Sequence, residues 1–151
     1  MLRHLVVLLA ASALAVAAHA HQYSVGNLII GHPWSRPTAS GMPTGVAYLS
    51  ITNNGSKRDT LISARTPAAA RVEFHHTVIE AGMARMRPAA TLVIGANTTV
   101  KAEPGGLHLM LVDLKTPLVA GTSVPLVLQF ETAGEITVQL KVEHLAGAPQ
   151  R

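Results

Sequence analysis

The sequence contains no cysteine among its 151 residues and only five aromatic side chains. Without cysteine there can be no disulfide framework, no thiolate nucleophile and no cysteine-ligated zinc or blue-copper centre. So few aromatic rings offer no stacking platform for single-stranded nucleic acid. Charged residues are also scarce, at 13% of the chain. The stability of any domain must therefore come from its apolar core.

The small excess of basic charge does not indicate nucleic-acid binding. The formal net charge is +4 at neutral pH, and the Lys and Arg residues are scattered singly or in pairs instead of forming a patch. A mildly basic, solvated surface explains this composition, and we expect no nucleic-acid partner.

The first twenty residues have the layout of a secretory signal peptide. Arg3 precedes an apolar run, and "AHA" at 18–20 is a small-x-small cleavage site. The run is shorter than the roughly 18 to 20 residues that a membrane span needs. We therefore expect a cleavable signal peptide over 1–20, a single domain over 21–151, and no stable membrane insertion. The alternative is an uncleaved N-terminal anchor.

Short segments rich in Val, Ile, Leu and Thr recur between turn signals, with no sustained helical periodicity. The turn signals include Asn53-Asn54-Gly55, Glu80-Ala81-Gly82 and Pro104-Gly105-Gly106. About eight such segments in one domain predict an all-β fold, an antiparallel β-sandwich or barrel. The segments are "NLIIGHPW", "GVAYLSITN", "TLISA", "RVEFHHTVI", "TTVKAE", "GLHLMLVDL", "SVPLVLQFE" and "EITVQLKVEH".

One of these segments, "GLHLMLVDL" at 106–114, carries a histidine and a methionine among its leucines. Strand alternation directs the leucines to the core, so His108 and Met110 project together from the opposite, solvent side. Their side chains would lie about 6 to 7 Å apart along the strand. Two potential metal ligands thus share one face.

A second segment, "RVEFHHTVI" at 71–79, carries two adjacent histidines. Alternation directs His75 away from the core and makes His76 the packed or edge histidine. A turn at 80–82 would return a strand through Met86 beside this segment. The register of that pairing stays open, but the facing argument prefers His75 as the neighbour of Met86.

Two imidazoles and two thioethers form a donor set that favours copper. Thioether sulfur is a soft, neutral ligand that selects Cu(I) over zinc, calcium or magnesium, and imidazole also keeps some affinity for Cu(II). Without a thiolate, the set suits holding Cu(I) better than blue-copper electron transfer or metal-assisted hydrolysis. The plainer alternative is a metal-free adhesion or assembly module, in which Met is core filler and His is hydrogen-bonded.

The spacing His75-x10-Met86-x21-His108-x-Met110 resembles the metal-binding signature of the periplasmic copper chaperone PCu(A)C family. Further matching stretches are "HPWSRPT", "GVAYLSITNNG", "MRP" and "PGGLHLMLVDLKTPL". The resemblance implies a cupredoxin-like Greek-key domain that binds Cu(I) through these four residues and acts as a carrier, not an enzyme. It also implies a periplasmic location and copper delivery to the CuA centre of cytochrome c oxidase subunit II, alongside a Sco-type copper chaperone.

Several further donors leave alternatives open. His76 could substitute for a ligand, and Met42 and Met83 are spare thioethers. After cleavage, His21 would offer an α-amine and an imidazole on one residue, a chelate suited to Cu(II). Such a histidine brace would serve either a second copper site or a copper-dependent oxidative enzyme.

Overall fold

The computed structural model describes residues 22–144, which form eleven β-strands and no helix. No helix in this part of the chain therefore has the length and apolarity to cross a bilayer. The strands are β1 (Gln22–Val25), β2 (Leu28–Ser35), β3 (Thr44–Asn53), β4 (Asp59–Arg65), β5 (Ala69–Glu80), β6 (Met83–Ala89), β7 (Leu92–Ile94), β8 (Thr98–Ala102), β9 (Leu107–Leu114), β10 (Ser123–Phe130) and β11 (Glu135–Val142).

The eight predicted segments correspond to β2 to β5 and β8 to β11, and the returning strand through Met86 is β6. Strands β1 and β7 were not predicted, because they are only four and three residues long. The expected signal peptide over 1–20 and His21 lie outside the described residues.

The strands form one sheet in the order β6-β5-β9-β8-β3-β2-β11-β10-β4-β7, with β1 on β2 and a further pairing of β9 with β3. Strand β4 also packs near β5, so the sheet curls around its core. The predicted all-β fold is confirmed. The sheet is mixed instead of wholly antiparallel, because β2 with β11 and β8 with β9 pair in parallel.

Alternating apolar side chains from most strands meet in a single core. Each fully buried Leu, Ile or Phe side chain contributes roughly 1.5 to 3 kcal/mol relative to its exposed state. In a chain without cysteine, this burial replaces disulfide bonds as the source of stability. The largest fully buried side chains belong to Leu28, Ile30, Ile51, Leu61, Ile94, Leu109, Leu111, Leu118, Leu126, Leu128, Phe130 and Leu140.

Strands β8 and β9 lie end to end along β3. Strand β8 pairs with residues 49–53 of β3, and β9 pairs with residues 44–47. Between them the chain sidesteps at residues 103–106, where Gly105 takes a φ of 84°, a conformation that glycine adopts without steric cost. The sidestep leaves β9 between β5 and β3.

Strands β5 and β6 form a hairpin at the edge of the sheet. Its turn is Ala81-Gly82, with φ values of 51° and 77°, as in the two-residue turns that match strand twist. Strand β5 pairs with β9 only as far as His76, so the end of the hairpin extends beyond β9. The turn predicted at 80–82 is confirmed.

Candidate metal site

The four residues of the spacing motif lie on one face of β6, β5 and β9. His75 is directly opposite His108. Met86 is opposite Thr77, two residues along β5 from His75, and Met110 follows His108 by two residues on β9. Cross-strand partners project from the same face, and so do residues two apart on a strand. We call this set of His75, Met86, His108 and Met110 the outer-face cluster.

The neighbouring His76 and Met83 project from the opposite face. His76 is paired with Leu107 of β9, a core residue, and Met83 is paired with Glu80 across the hairpin turn. The register therefore agrees with the facing argument that preferred His75 over His76 as the neighbour of Met86. Neither His76 nor Met83 can join the outer-face cluster without a reversal of its strand.

Met42 lies away from the cluster. It belongs to the loop before β3 and is 49% exposed, where it lines a surface depression with Asp113, Leu114 and Lys115. The pairing of β3 with β9 begins at Thr44, the first residue of β3, which is opposite Val112. Met42 therefore lies beyond the end of that pairing, past the level of Val112.

The two imidazole rings are placed to share one ion. Their centroids are 5.8 Å apart, with an angle of 45° between the ring planes. A metal bound at about 2 Å to a ring nitrogen lies about 3 Å from that ring's centroid, so two rings on one ion have centroids at most about 6 Å apart. The observed separation of the His75 and His108 rings satisfies this limit.

Each ring uses one nitrogen in a hydrogen bond and leaves the other free. His75 Nε2 lies 2.9 Å from Glu73 Oε2, and His108 Nδ1 lies 3.0 Å from the carbonyl oxygen of Gly106. Because a carboxylate and a carbonyl only accept, these two nitrogens carry the hydrogens. His75 Nδ1 and His108 Nε2 therefore present lone pairs.

Both of these lone-pair nitrogens are buried, and neither has a hydrogen-bond partner among residues 22–144. A buried polar atom without a partner costs about 1 to 3 kcal/mol. A metal ion bonded to His75 Nδ1 and His108 Nε2 would remove this cost. Two opposed, unpartnered imidazole nitrogens therefore fit a metal site. No three His, Asp or Glu side chains of the described residues converge as a metal cluster, and the other candidate donors of the outer-face cluster are thioethers.

Exposure varies steeply across the outer-face cluster. His108 is 4% exposed, the side chain of His75 is 13% exposed, and Met86 is 58% exposed. Met110 is half-buried. The expectation that His108 projects into solvent is wrong, although it does leave the strand on the side opposite the leucines. The cluster therefore reaches from the protein interior to its surface.

The outer face carries other large side chains near β9. Strand β3 pairs with β9 as far as Ala47 opposite Leu109, and Tyr48 follows on β3. Tyr48 is itself only 6% exposed, and its ring stacks on Trp34 with centroids 4.7 Å apart. The outer face thus carries its own layer of side chains on the strand next to β9.

A chain of charged groups holds the carboxylate beside His75. Arg71 Nε donates to Glu73 Oε1 at 2.8 Å, and Arg71 Nη1 donates to Asp113 Oδ2 at 2.6 Å. The hydrogen bond from Arg71, and then the one from His75, holds the pKa of Glu73 below its ordinary value. The bond with Glu73 likewise raises the pKa of Arg71. Glu73 is therefore ionised at neutral pH.

Sequence reasoning did not identify Glu73, Arg71 or Asp113. Glu73 and His75 are two apart on one strand, so alternation places them on the same face, although it does not indicate their hydrogen bond. The contact of Arg71 with Asp113 joins β5 to β9 across 42 residues, and no local pattern signals it.

The chain belongs to a known family by comparison of its sequence. The family model described as "Putative lipoprotein LpqE-like" matches residues 28–142. Over 120 residues the chain is 32% identical to "Putative lipoprotein Lxx21020" of Leifsonia xyli subsp. xyli, covering 79% of this chain and 71% of that one. It is 27% identical over 114 residues to "Uncharacterized protein RP573" of Rickettsia prowazekii, covering 73% of this chain and 63% of that one.

Solved structures share the fold. A copper-bound PCuAC domain from PmoF2 superposes with a TM-score of 0.73 and 30% identity, over 83% of this chain and 99% of that one. The CuI form of DR1885 from Deinococcus radiodurans superposes with a TM-score of 0.62 and 27% identity, over 85% of each chain. The protein thus has the cupredoxin-like β fold of PCuAC domains. The protein belongs to the LpqE-like family, and the resemblance to the PCu(A)C family is confirmed.

Proposed function

We propose that this protein is an exported Cu(I) carrier that binds one copper ion through the outer-face cluster. The donors are His75 Nδ1, His108 Nε2 and the thioether sulfurs of Met86 and Met110. The observation that carries this proposal is the pair of buried, unpartnered imidazole nitrogens that face one another on adjacent strands. Copper is the cargo of the protein and takes no part in a catalysed reaction.

The chemistry of the donor set favours Cu(I). All four donors are neutral, and the two thioethers are soft, so the set suits a monovalent soft ion better than zinc or magnesium. The carboxylate of Glu73 on the far nitrogen of His75 makes that imidazole a better donor. Support also comes from the related domains, since one was solved with copper and another as its CuI form.

The exposure gradient suits release of the ion to another protein. Met86 is on the edge strand and largely exposed, whereas His108 is buried. An acceptor's ligand would reach the ion from the Met86 side and displace this thioether first. The histidines would then be exchanged one at a time, so the ion need not pass free through water.

We further propose delivery to the CuA centre of cytochrome c oxidase subunit II, alongside a Sco-type copper chaperone in the periplasm. This rests on the family resemblance and on the signal-peptide layout of residues 1–20. The relatives described as lipoproteins also support export.

The decisive test is Cu(I) titration of the protein lacking residues 1–20 against a chromophoric competitor under reducing conditions. His108→Ala and Met110→Leu should each weaken binding by about tenfold or more. Met83→Leu is the control, because Met83 is a thioether on the opposite face of the hairpin, and this variant should bind as the parent does. Unchanged affinity in both cluster variants would refute the site.

X-ray absorption of the Cu(I) form counts the donors directly, and we expect about two sulfur and two nitrogen scatterers. A spectrum without sulfur contradicts the proposal. The same loaded protein tests delivery when it is mixed with the soluble CuA domain, with and without a Sco-type chaperone. Copper recovered with the separated CuA domain is the expected result, and copper that stays with the carrier in both mixtures contradicts delivery.

A further inference from the structure

We infer that Glu73 is a positioning residue of the metal site, which holds His75 in the tautomer that presents Nδ1 to His108. We infer also that Arg71, anchored by Asp113, keeps Glu73 in place. The effect of Glu73 on Cu(I) affinity rests on the proposed function. Its effect on which nitrogen of His75 carries the hydrogen does not, and can be measured without metal.

The hydrogen bond between Glu73 and His75 selects one tautomer. Glu73 Oε2 lies 2.9 Å from His75 Nε2, and an ionised carboxylate can only accept. In the opposite tautomer, an Nε2 lone pair would face that carboxylate. The hydrogen on Nδ1 would then be buried, with no acceptor among residues 22–144. The proton therefore belongs on Nε2, and Nδ1 is left to bind an ion.

Each oxygen of the Glu73 carboxylate has a separate partner. Oε1 accepts from Arg71 at 2.8 Å, while Oε2 accepts from His75. The guanidinium is held in turn by Asp113 at 2.6 Å. The carboxylate is thus held by Arg71 at one oxygen, and its other oxygen holds the imidazole of His75.

The conformation of Asp113 explains how it reaches Arg71. By strand alternation Asp113 should share the core face of Leu109 and Leu111, yet it is exposed and contacts Arg71 on the outer face. Its φ of 55° breaks the alternation at that point of β9. Aspartate is one of the few non-glycine residues that adopt this region. Asp113 thereby brings a second carboxylate to the guanidinium that holds Glu73.

The other histidine needs no such side chain, since the backbone carbonyl of Gly106 fixes the tautomer of His108. Substitution of Glu73 can therefore change the tautomer of His75 without changing that of His108. An unchanged His108 tautomer then shows that the variant is still folded.

The test measures both histidine tautomers in the metal-free protein by long-range proton–nitrogen correlation at about pH 8. The parent should show Nε2–H for His75 and Nδ1–H for His108. In Glu73→Gln the single amide oxygen stays with Arg71, so the amide group donates to His75 Nε2. His75 should then change to Nδ1–H, and Cu(I) affinity should fall by about 10- to 100-fold. Glu73→Ala should give a mixture of His75 tautomers.

The matched control is Glu80→Gln. It removes the same charge from β5, but Glu80 pairs with Arg87 on the opposite face. The His75 tautomer should remain Nε2–H, and Cu(I) affinity should stay within about twofold. An unchanged His75 tautomer in both Glu73 variants overturns the inference, as does an equal affinity loss in Glu80→Gln. If the parent binds no Cu(I), the proposed function fails, while the tautomers still decide the role of Glu73.

Discussion

His75 and His76 are adjacent in the chain, yet β5 directs them to opposite sides of the sheet. His75 faces His108 at 5.8 Å between ring centroids, and His76 lies opposite Leu107 at the start of β9. Two residues with the same chemistry thus have different surroundings, because the side-chain period of a strand is two.

At the residue scale we predict that His75→Ala and His76→Ala differ sharply in copper binding. Loss of His75 removes a donor, so Cu(I) affinity should fall by more than about 100-fold, which exceeds the effect of losing a residue that only hydrogen-bonds to a donor. His76→Ala should bind within about twofold of the parent. Competition titration of both variants gives the comparison. Equal losses would show that the face of β5 does not decide which histidine binds.

Among the structural elements, the β5–β6 hairpin carries the most exposed member of the outer-face cluster. Among the strands of residues 22–144, β6 pairs with β5 alone, so the hairpin register and its turn hold Met86 in position. The turn places both Ala81 and Gly82 at positive φ, where glycine and asparagine are favoured and alanine is not.

At the element scale we predict opposite effects of two substitutions in this turn. Gly82→Ala adds a Cβ at a φ of 77° and should destabilise the hairpin by about 1 to 2 kcal/mol. Ala81→Asn replaces a strained residue and should stabilise the hairpin by about 0.5 kcal/mol. Native-state hydrogen exchange of β6 amides measures both effects. Changes of the same sign would contradict the turn assignment.

In the whole molecule, the outer-face cluster joins the exposed edge strand β6 to β5 and β9, whose other faces contribute side chains to the core. Leu107, Leu109 and Leu111 alternate with His108 and Met110 on β9, so the cluster and the core are built on the same strand. Any ligand that binds the folded state and not the unfolded chain adds to stability by mass action.

At the scale of the whole molecule we predict that Cu(I) raises the melting temperature. Free Cu(I) at 100 times the Kd adds about 2.7 kcal/mol, which for a domain of this size corresponds to roughly 10 °C. Calorimetry at buffered Cu(I) measures the shift. His108→Ala should lose most of it at the same free Cu(I) concentration. An equal shift in parent and variant would place the stabilising copper at another site.

Much of the candidate site could be predicted from local patterns. Alternation in "GLHLMLVDL" set the leucines apart from His108 and Met110, and the turn at 80–82 indicated a strand through Met86. The burial of His108 could not be predicted in this way, because it depends on the pairing of β9 with β3 and β5, which lie far from it in the sequence.

The sequence by itself determined the chemistry of this protein: which donor types it contains, which faces of the strands they leave from, and that no thiolate competes with them. Only the tertiary structure decided that His75 stands opposite His108, that one nitrogen of each ring is buried without a partner, and that Asp113 and Arg71 brace Glu73. The physical reason is the separation in sequence between the residues that interact. Side-chain alternation follows from the backbone of a single strand, whereas register and burial depend on hydrogen bonds and packing between strands far apart in the chain.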